Sequence, residues 1–369
     1  MTAASKPKRF KSLYLHIGLG KTGSTSIQQD LLASADLLES QYDLHYPRNF
    51  THTRQHRGNH SMLLRSLFSD DPEVRARLAA QGLSSSAAIE QYNRQTLSQL
   101  HAGFGATNAS NLLLSAEGVG HFKKPQLEEL AHWLQELAGE IRIVACVRHP
   151  VHALSSEIQQ RLLIGEILED MYEKPPVYLF SRLFRRFEQA FGKENIIVYD
   201  FADAIRSPDG LTTEFLRQIG IEAAADFPRS QASNTSMSHE GALLLSAINR
   251  LRPILIDQDR NPARLHVNPS YFKKIPGRTY TAPRQVYDQA IRTVQGDIDW
   301  LLQEYGIDLG NFETPAQEAY NSFSDESIEH LALSIADYDR LRHPFKSRAR
   351  TARAFLRSAA QRLLHRGKG

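Results

Sequence analysis

The chain predicts an α/β fold: a central, mainly parallel sheet flanked by helices, followed by a helical C-terminal portion. Three observations lead there. Leu13 to Gln28 is an apolar strand that runs into Gly20-Lys21-Thr22-Gly23-Ser24-Thr25 and opens a helix. Ile141 to Val147 is apolar at nearly every position, as a strand buried on both faces is, and Arg148-His149-Pro150 then sets a proline where a helix begins. Elsewhere short apolar runs alternate with helical patterns, which marks a parallel sheet whose ligands bind beyond the carboxyl ends of its strands.

The elements follow in order. Asp43 to Tyr46 predicts a second strand, residues 47–58 a loop, and residues 59–101 helix with polar breaks. Asn111 to Ser115 predicts a third strand. Ile141 to Val147 is the fourth, and Asn195 to Tyr199 the fifth. From Thr235 onward the pattern is mostly helical, interrupted by the basic segment Lys273-Lys-Ile-Pro-Gly-Arg-Thr-Tyr280 and followed by a periodic stretch ending at Trp300 to Gly306. One domain is expected over 1–340, with 341–369 as a basic amphipathic helix or tail. At 369 residues and 41% hydrophobic, the chain can bury an ample core.

Backbone N–H groups at a helix N-terminus, loosened by glycines and backed by a lysine, make an anion site. The spacing is not that of a nucleotide P-loop, because the glycine required five residues before Gly20 is Leu15. Lys21 to Thr25 instead resembles the 5′-phosphosulfate loop of sulfotransferases that use 3′-phosphoadenylyl sulfate (PAPS), with core Pro-Lys-[Ser/Thr]-Gly-[Ser/Thr]-Thr. Gly20 stands where that family has proline. Arg148 and Ser156 have the spacing of the family's Arg-x-Pro-x5-Ser motif, which holds the cofactor's 3′-phosphate. A guanidinium grips phosphate oxygens through paired hydrogen bonds, and a hydroxyl two turns into a helix adds a donor. Lys273 to Arg278 looks like the Lys/Gly-Gly-Arg loop of glycosaminoglycan-type sulfotransferases, which closes over the cofactor; Lys274, Gly277 and Arg278 are the residues carried over. The resemblance implies a P-loop-like sulfotransferase fold of the bacterial carbohydrate type. It also implies PAPS as cofactor with PAP as product, a cofactor site over Gly20, Lys21, Thr22, Gly23, Ser24, Thr25, Arg148 and Ser156, and no metal.

Sulfuryl transfer needs a base for the acceptor hydroxyl and a cation at the leaving phosphate oxygen. Lys21 suits the cation. For the base, Glu117 lies directly after the third strand, where such enzymes place a His or Glu. His60, after the Arg57-Gly-Asn-His loop, is the second candidate and His121 the third. His16, in or beside the first strand, reads as structural. The strand ends show no aspartate of the kind a magnesium-dependent NTPase uses. Two other readings stay open: a P-loop kinase using ATP, and a non-catalytic PAP-binding protein.

The single cysteine, Cys146, falls inside the fourth strand and excludes an internal disulfide. No apolar run is long enough to cross a bilayer, and Met1 to Lys11 is too short and polar for a signal peptide. A cytoplasmic, bacterial enzyme is expected, acting on a hydroxyl-bearing acceptor, with a glycan or lipid-linked sugar preferred. The net charge of +3 hides an asymmetry. Arg340 to Gly369 carries ten Lys/Arg and no acidic residue, and without them 34 basic side chains face 41 acidic ones. Phe355, Leu356, Ala359, Ala360, Leu363 and Leu364 recur there at helical spacing among arginines. Such a helix either lies on an anionic membrane face or packs on its own domain. No aromatic-rich module accompanies the charge, so nucleic acid is not an expected partner.

Overall fold

A computed structural model describes residues 8–48, 58–69, 71, 74–75, 78–79, 82–83, 85–223, 227, 236–256, 259–264, 267–315 and 325–342. Its strands are β1 (Phe10–His16), β2 (Leu44–His45), β3 (Asn111–Ser115), β4 (Ala138–Val147), β5 (Ile196–Asp200), β6 (Leu255–Ile256) and β7 (Asp259–Arg260). Its α-helices are α1 (Ser24–Ala33), α2 (Ala35–Tyr42), α3 (Ser61–Phe68), α4 (Ser86–Ala106), α5 (Lys124–Leu137), α6 (Pro150–Leu163), α7 (Leu168–Glu173), α8 (Phe180–Phe191), α9 (Phe201–Arg206), α10 (Leu211–Gln218), α11 (His239–Leu251), α12 (Arg284–Tyr305) and α13 (Asp325–Arg342).

The chain forms two compact units. The first comprises Met1–His149, Tyr178–Ala232 and Gln295–Asn311; the second comprises Pro150–Val177, Ser233–Val294 and Phe312–Gly369. The first holds a five-stranded sheet in the order β2-β3-β1-β4-β5 with every pairing parallel. His16 at the end of β1 lies level with Ser115 of β3 on one side and Val144 of β4 on the other. The chain leaves β1 toward β2 and β3, then crosses to β4, so β1 marks the switch of direction. The carboxyl ends of β3, β1 and β4 therefore lie side by side where an open α/β sheet takes its ligands.

Both faces of the sheet are covered, which explains its near-continuous apolar strands. Leu113, Val144, Cys146 and Tyr199 join Ile27 and Leu31 of α1, Leu38 of α2, and Phe215 and Leu216 of α10 in one cluster. The alternate residues Leu112, Leu114, Ile143 and Ala145 are equally buried on the opposite face. There α5 buries Leu127, Leu130, Ala131 and Leu134, and α8 buries Phe180, Phe184, Phe187 and Phe191, both at helical spacing. Burial raises the Cys146 thiol, so this residue is a small core side chain.

The second unit is mainly helical. Asn249 of α11 donates to the carbonyls of Leu162 (2.8 Å) and Glu166 (2.7 Å), tying α11 to the end of α6. Arg250 pairs with Glu169 of α7 and with Glu329 of α13, and Arg252 with Asp337 of α13. Helix α12 begins in this unit, and its part from Gln295 belongs to the first.

Two expectations need correction. The span after Thr235 includes a short antiparallel hairpin, β6–β7, whose two-residue strands carry too little pattern to be read. The fifth strand runs to Asp200, one residue beyond its predicted end, so a strand end does carry an aspartate. That residue lies away from β1, with β4 between them, and stands at the N-cap position of α9, where burial raises its pKa. Among the described residues no helix is long and apolar enough to cross a membrane. The amphipathic pattern expected within 341–369 lies, from 343 onward, outside the described residues.

Candidate cofactor loop and strand-end site

The loop between β1 and α1 turns sharply into the helix N-terminus through two left-handed residues. Gly23 precedes α1 with φ 75°, a left-handed backbone that glycine adopts without a Cβ penalty. Lys21 also has a positive φ of 65°, uncommon for a residue with a side chain. Thr22 is buried and its hydroxyl donates to the Leu19 carbonyl at 2.7 Å, which closes the turn from within. Ser24, the first residue of α1, is buried, and Thr25 is exposed. A Cβ at Gly20 would collide with the Tyr178 hydroxyl.

Arg148 meets this loop from the end of β4. Its Nη1 donates to the Lys21 carbonyl at 3.2 Å, across 127 positions of sequence. Its guanidinium lies 5.2 Å from the centre of the Phe201 ring, a cation–π distance. Partial burial lowers the guanidinium pKa while leaving it a cation. Lys21 and Arg148, the two charges that sequence reasoning paired, are thus joined through backbone. Tyr178 and Phe201 were missed by sequence reasoning. Phe201 had one available signal, its place just beyond a strand's carboxyl end; Tyr178 had none.

The candidate bases separate. Glu117 is exposed, two residues beyond the end of β3, in a 3₁₀ turn spanning Glu117–His121. His121 ends that turn and is exposed too. His60 lies beside the end of β3 but is buried, at 1% exposure. Its Nδ1 accepts from the Ser115 N–H at 2.9 Å and its Nε2 donates to the Pro47 carbonyl at 3.1 Å. Burial lowers its pKa to about 4, so the ring is neutral and both nitrogens are engaged. In this geometry His60 ties β3 to the segment that follows β2.

A buried polar chain runs under the loop. His16 Nδ1 is 2.9 Å from Ser115 Oγ, which also accepts from Gln28 Nε2 at 3.0 Å. Tyr46 donates to the Gly58 carbonyl, and its ring meets that of His60 edge-on at 5.2 Å. Burial lowers the His16 pKa to about 4 as well.

The remaining sequence candidates belong to the second unit. Ser156 is half-buried on α6, beside Ser155, whose Oγ accepts from the Ala282 N–H at 2.9 Å. Lys274 is exposed with its ammonium 5.7 Å from the centre of the Tyr271 ring. Gly277 has the Glu240 carboxylate packed where a Cβ would stand. Arg278 is exposed, and its carbonyl accepts from the His239 N–H at 2.7 Å.

No protein-family model matches the chain, and no curated protein matches it. Among solved structures it is similar to a sulfotransferase from Alicyclobacillus acidocaldarius, at 14% identity and TM-score 0.34 over 65% of this chain and 93% of that one. It is similar to the sulfotransferase domain from the curacin biosynthetic pathway, at 13% identity and TM-score 0.34 over 78% and 99%. It is also similar to retinol dehydratase in complex with androsterone and inactive cofactor PAP, at 13% identity and TM-score 0.32 over 84% of each chain. At this distance, activity rests on the residues themselves.

Proposed function

We propose that this chain is a sulfotransferase that takes the sulfuryl group of PAPS to an acceptor hydroxyl. The observation that carries the reading is the bond between Arg148 and the Lys21 carbonyl, which brings the Arg148 guanidinium from the end of β4 to the loop that opens α1 beyond the neighbouring β1. The donors fit a phosphate-bearing ligand. The loop from Ile17 to Thr25 holds no acidic side chain, and α1 turns its first N–H groups toward it.

PAPS supplies an activated sulfuryl group on its 5′-phosphate. Lys21 and the first turn of α1 hold that phosphate and stabilise the charge that grows on its leaving oxygen. Arg148 holds the 3′-phosphate. Ser156, Lys274, Gly277 and Arg278, which the second unit carries, are assigned to the cofactor by resemblance. Glu117 takes the acceptor's proton as the new S–O bond forms and the S–O bond to phosphate breaks. A carbohydrate hydroxyl is the acceptor class favoured by the segment Lys273 to Arg278. No metal is called for, because the protein's own cations balance the phosphates.

Calorimetry with PAP, ADP and AMP tests the cofactor. PAP should bind at least tenfold more tightly than ADP, because only PAP carries a 3′-phosphate. Equal affinities would return the chain to the kinase reading. Labelled PAPS with a panel of glycans, phenols and lipids tests the acceptor. Tight PAP binding with no transfer across the panel would favour a PAP-binding protein.

A further inference from the structure

Two polar atoms under the cofactor loop are left over by the arrangement described above. His16 is fully buried, with Nδ1 engaged by Ser115, while its Nε2 has no hydrogen-bond partner among the described residues. Ser24 is 5% exposed, and its Oγ has no partner among them either. Both face one small space, the place vacated by the missing side chain of Gly18. A Cβ there would collide with Ser24 Oγ and stand 3.2 Å from His16 Nε2. A buried donor or acceptor without a partner is costly, so two of them turned to one gap are placed to satisfy each other.

We propose that His16 is the positioning residue of the cofactor loop: its Nε2–H donates to Ser24 Oγ across the Gly18 gap, which turns the Ser24 proton toward a bound phosphate oxygen. The inference rests on the loop being the phosphosulfate cradle. The proton order is consistent along the chain. Gln28 Nε2–H donates to Ser115 Oγ, the Ser115 O–H donates to His16 Nδ1, and the imidazole proton then sits on Nε2. The imidazole must be neutral for this, and burial keeps it so. A serine hydroxyl that already accepts one hydrogen bond is a better donor for the next, so the chain from Gln28 to Ser24 strengthens the grip on an anion. Gly18 serves the same end, because any side chain at this position would wedge the two groups apart.

The test is PAP binding by calorimetry, with melting temperature measured on the same full-length samples. His16→Asn keeps an amide at the Nδ1 position facing Ser115 and deletes the Nε2 contact; His16→Gln keeps a donor near the Nε2 position. His16→Asn and Ser24→Ala should each weaken PAP about 5–20-fold. The double variant should be no more than about twofold weaker than the worse single one, because both changes cut one path. His16→Gln should recover most of the loss, and Gly18→Ala should reproduce the Ser24→Ala defect. The proposal is overturned by parental affinity in His16→Asn, by a double loss equal to the product of the single losses, or by a melting-temperature drop that His16→Gln leaves with no recovery of affinity. If the parent protein itself prefers PAP no more than ADP, the cradle reading fails, and that result is separate from the comparison among variants.

Discussion

Lys21 is held with φ 65°, a conformation that costs a non-glycine residue on the order of 1–2 kcal/mol. Strain of this kind persists where the surroundings over-determine it, and here the Arg148 bond to the Lys21 carbonyl does so. Lys21→Ala should therefore keep the fold and lower turnover by about two orders of magnitude, since it removes the cation at the leaving oxygen. Near-normal turnover in single-turnover assays with PAPS would remove this residue from the reaction. Arg148→Ala should erase most of the preference for PAP over ADP, and it also releases the loop, so turnover should fall with it. For the base, Glu117→Gln keeps shape and hydrogen bonding but loses basicity, and turnover should drop about 10²–10⁴ with PAP affinity unchanged. A silent Glu117→Gln would pass the role to His121, the other exposed group of that turn.

Helices and strands here are finished by residues far away in sequence. Helix α8 starts at Phe180 with no capping side chain at its own N-cap, Leu179. Asp297 of α12 supplies the cap: its carboxylate accepts from the Phe180 N–H and, at 3.0 Å, from the Ser181 N–H. Asp297→Ala should lower unfolding free energy by about 1–3 kcal/mol, the range for a lost cap with orphaned buried donors, without changing PAP affinity. Urea unfolding followed by circular dichroism measures it. His60 does similar work between β3 and Pro47, so His60→Ala should also cost about 1–3 kcal/mol, by leaving the Ser115 N–H and the Pro47 carbonyl unpaired. Full stability together with abolished turnover in that variant would restore His60 to the chemistry.

Across the whole molecule, two buried histidines give stability a pH signature. His16 and His60 have folded pKa values near 4, while an unfolded histidine titrates near 6.5. Below about pH 6.5 the unfolded chain binds protons that the native state refuses. Stability is then full above that pH and declines toward pH 4, by up to roughly 1.4 kcal/mol per unit for each histidine. The urea midpoint should fall between pH 7 and pH 5; a flat midpoint would contradict neutral burial of the pair. At the far end of the chain, removal of 343–369 tests the basic tail. A membrane-bound tail predicts loss of sedimentation with phosphatidylserine vesicles and unchanged PAP affinity, and a tail that packs on its own domain predicts a lower melting temperature with no vesicle binding by the full chain.

The sequence by itself determined the sheet and the loop. Apolar runs such as Leu112 to Leu114 and Ile143 to Val147 are legible because a strand buried on both faces admits little else. The Gly20 to Thr25 turn is legible because a left-handed position before the helix, taken here by Gly23, favours glycine. The short β6–β7 hairpin and the extra residue of β5 were not, since two or three residues carry no period. Sequence ranked Glu117 before His60 by its place at a strand end, but only packing shows the first exposed and the second buried with both nitrogens engaged. The same holds for Asp297 and α8, for Tyr178 on Gly20, and for the division of the chain into two interleaved units. Local preference reaches a few residues along the chain. Contacts between positions far apart in the chain are chosen by the packing of the whole molecule, and there the site's charges, caps and neutral histidines were decided.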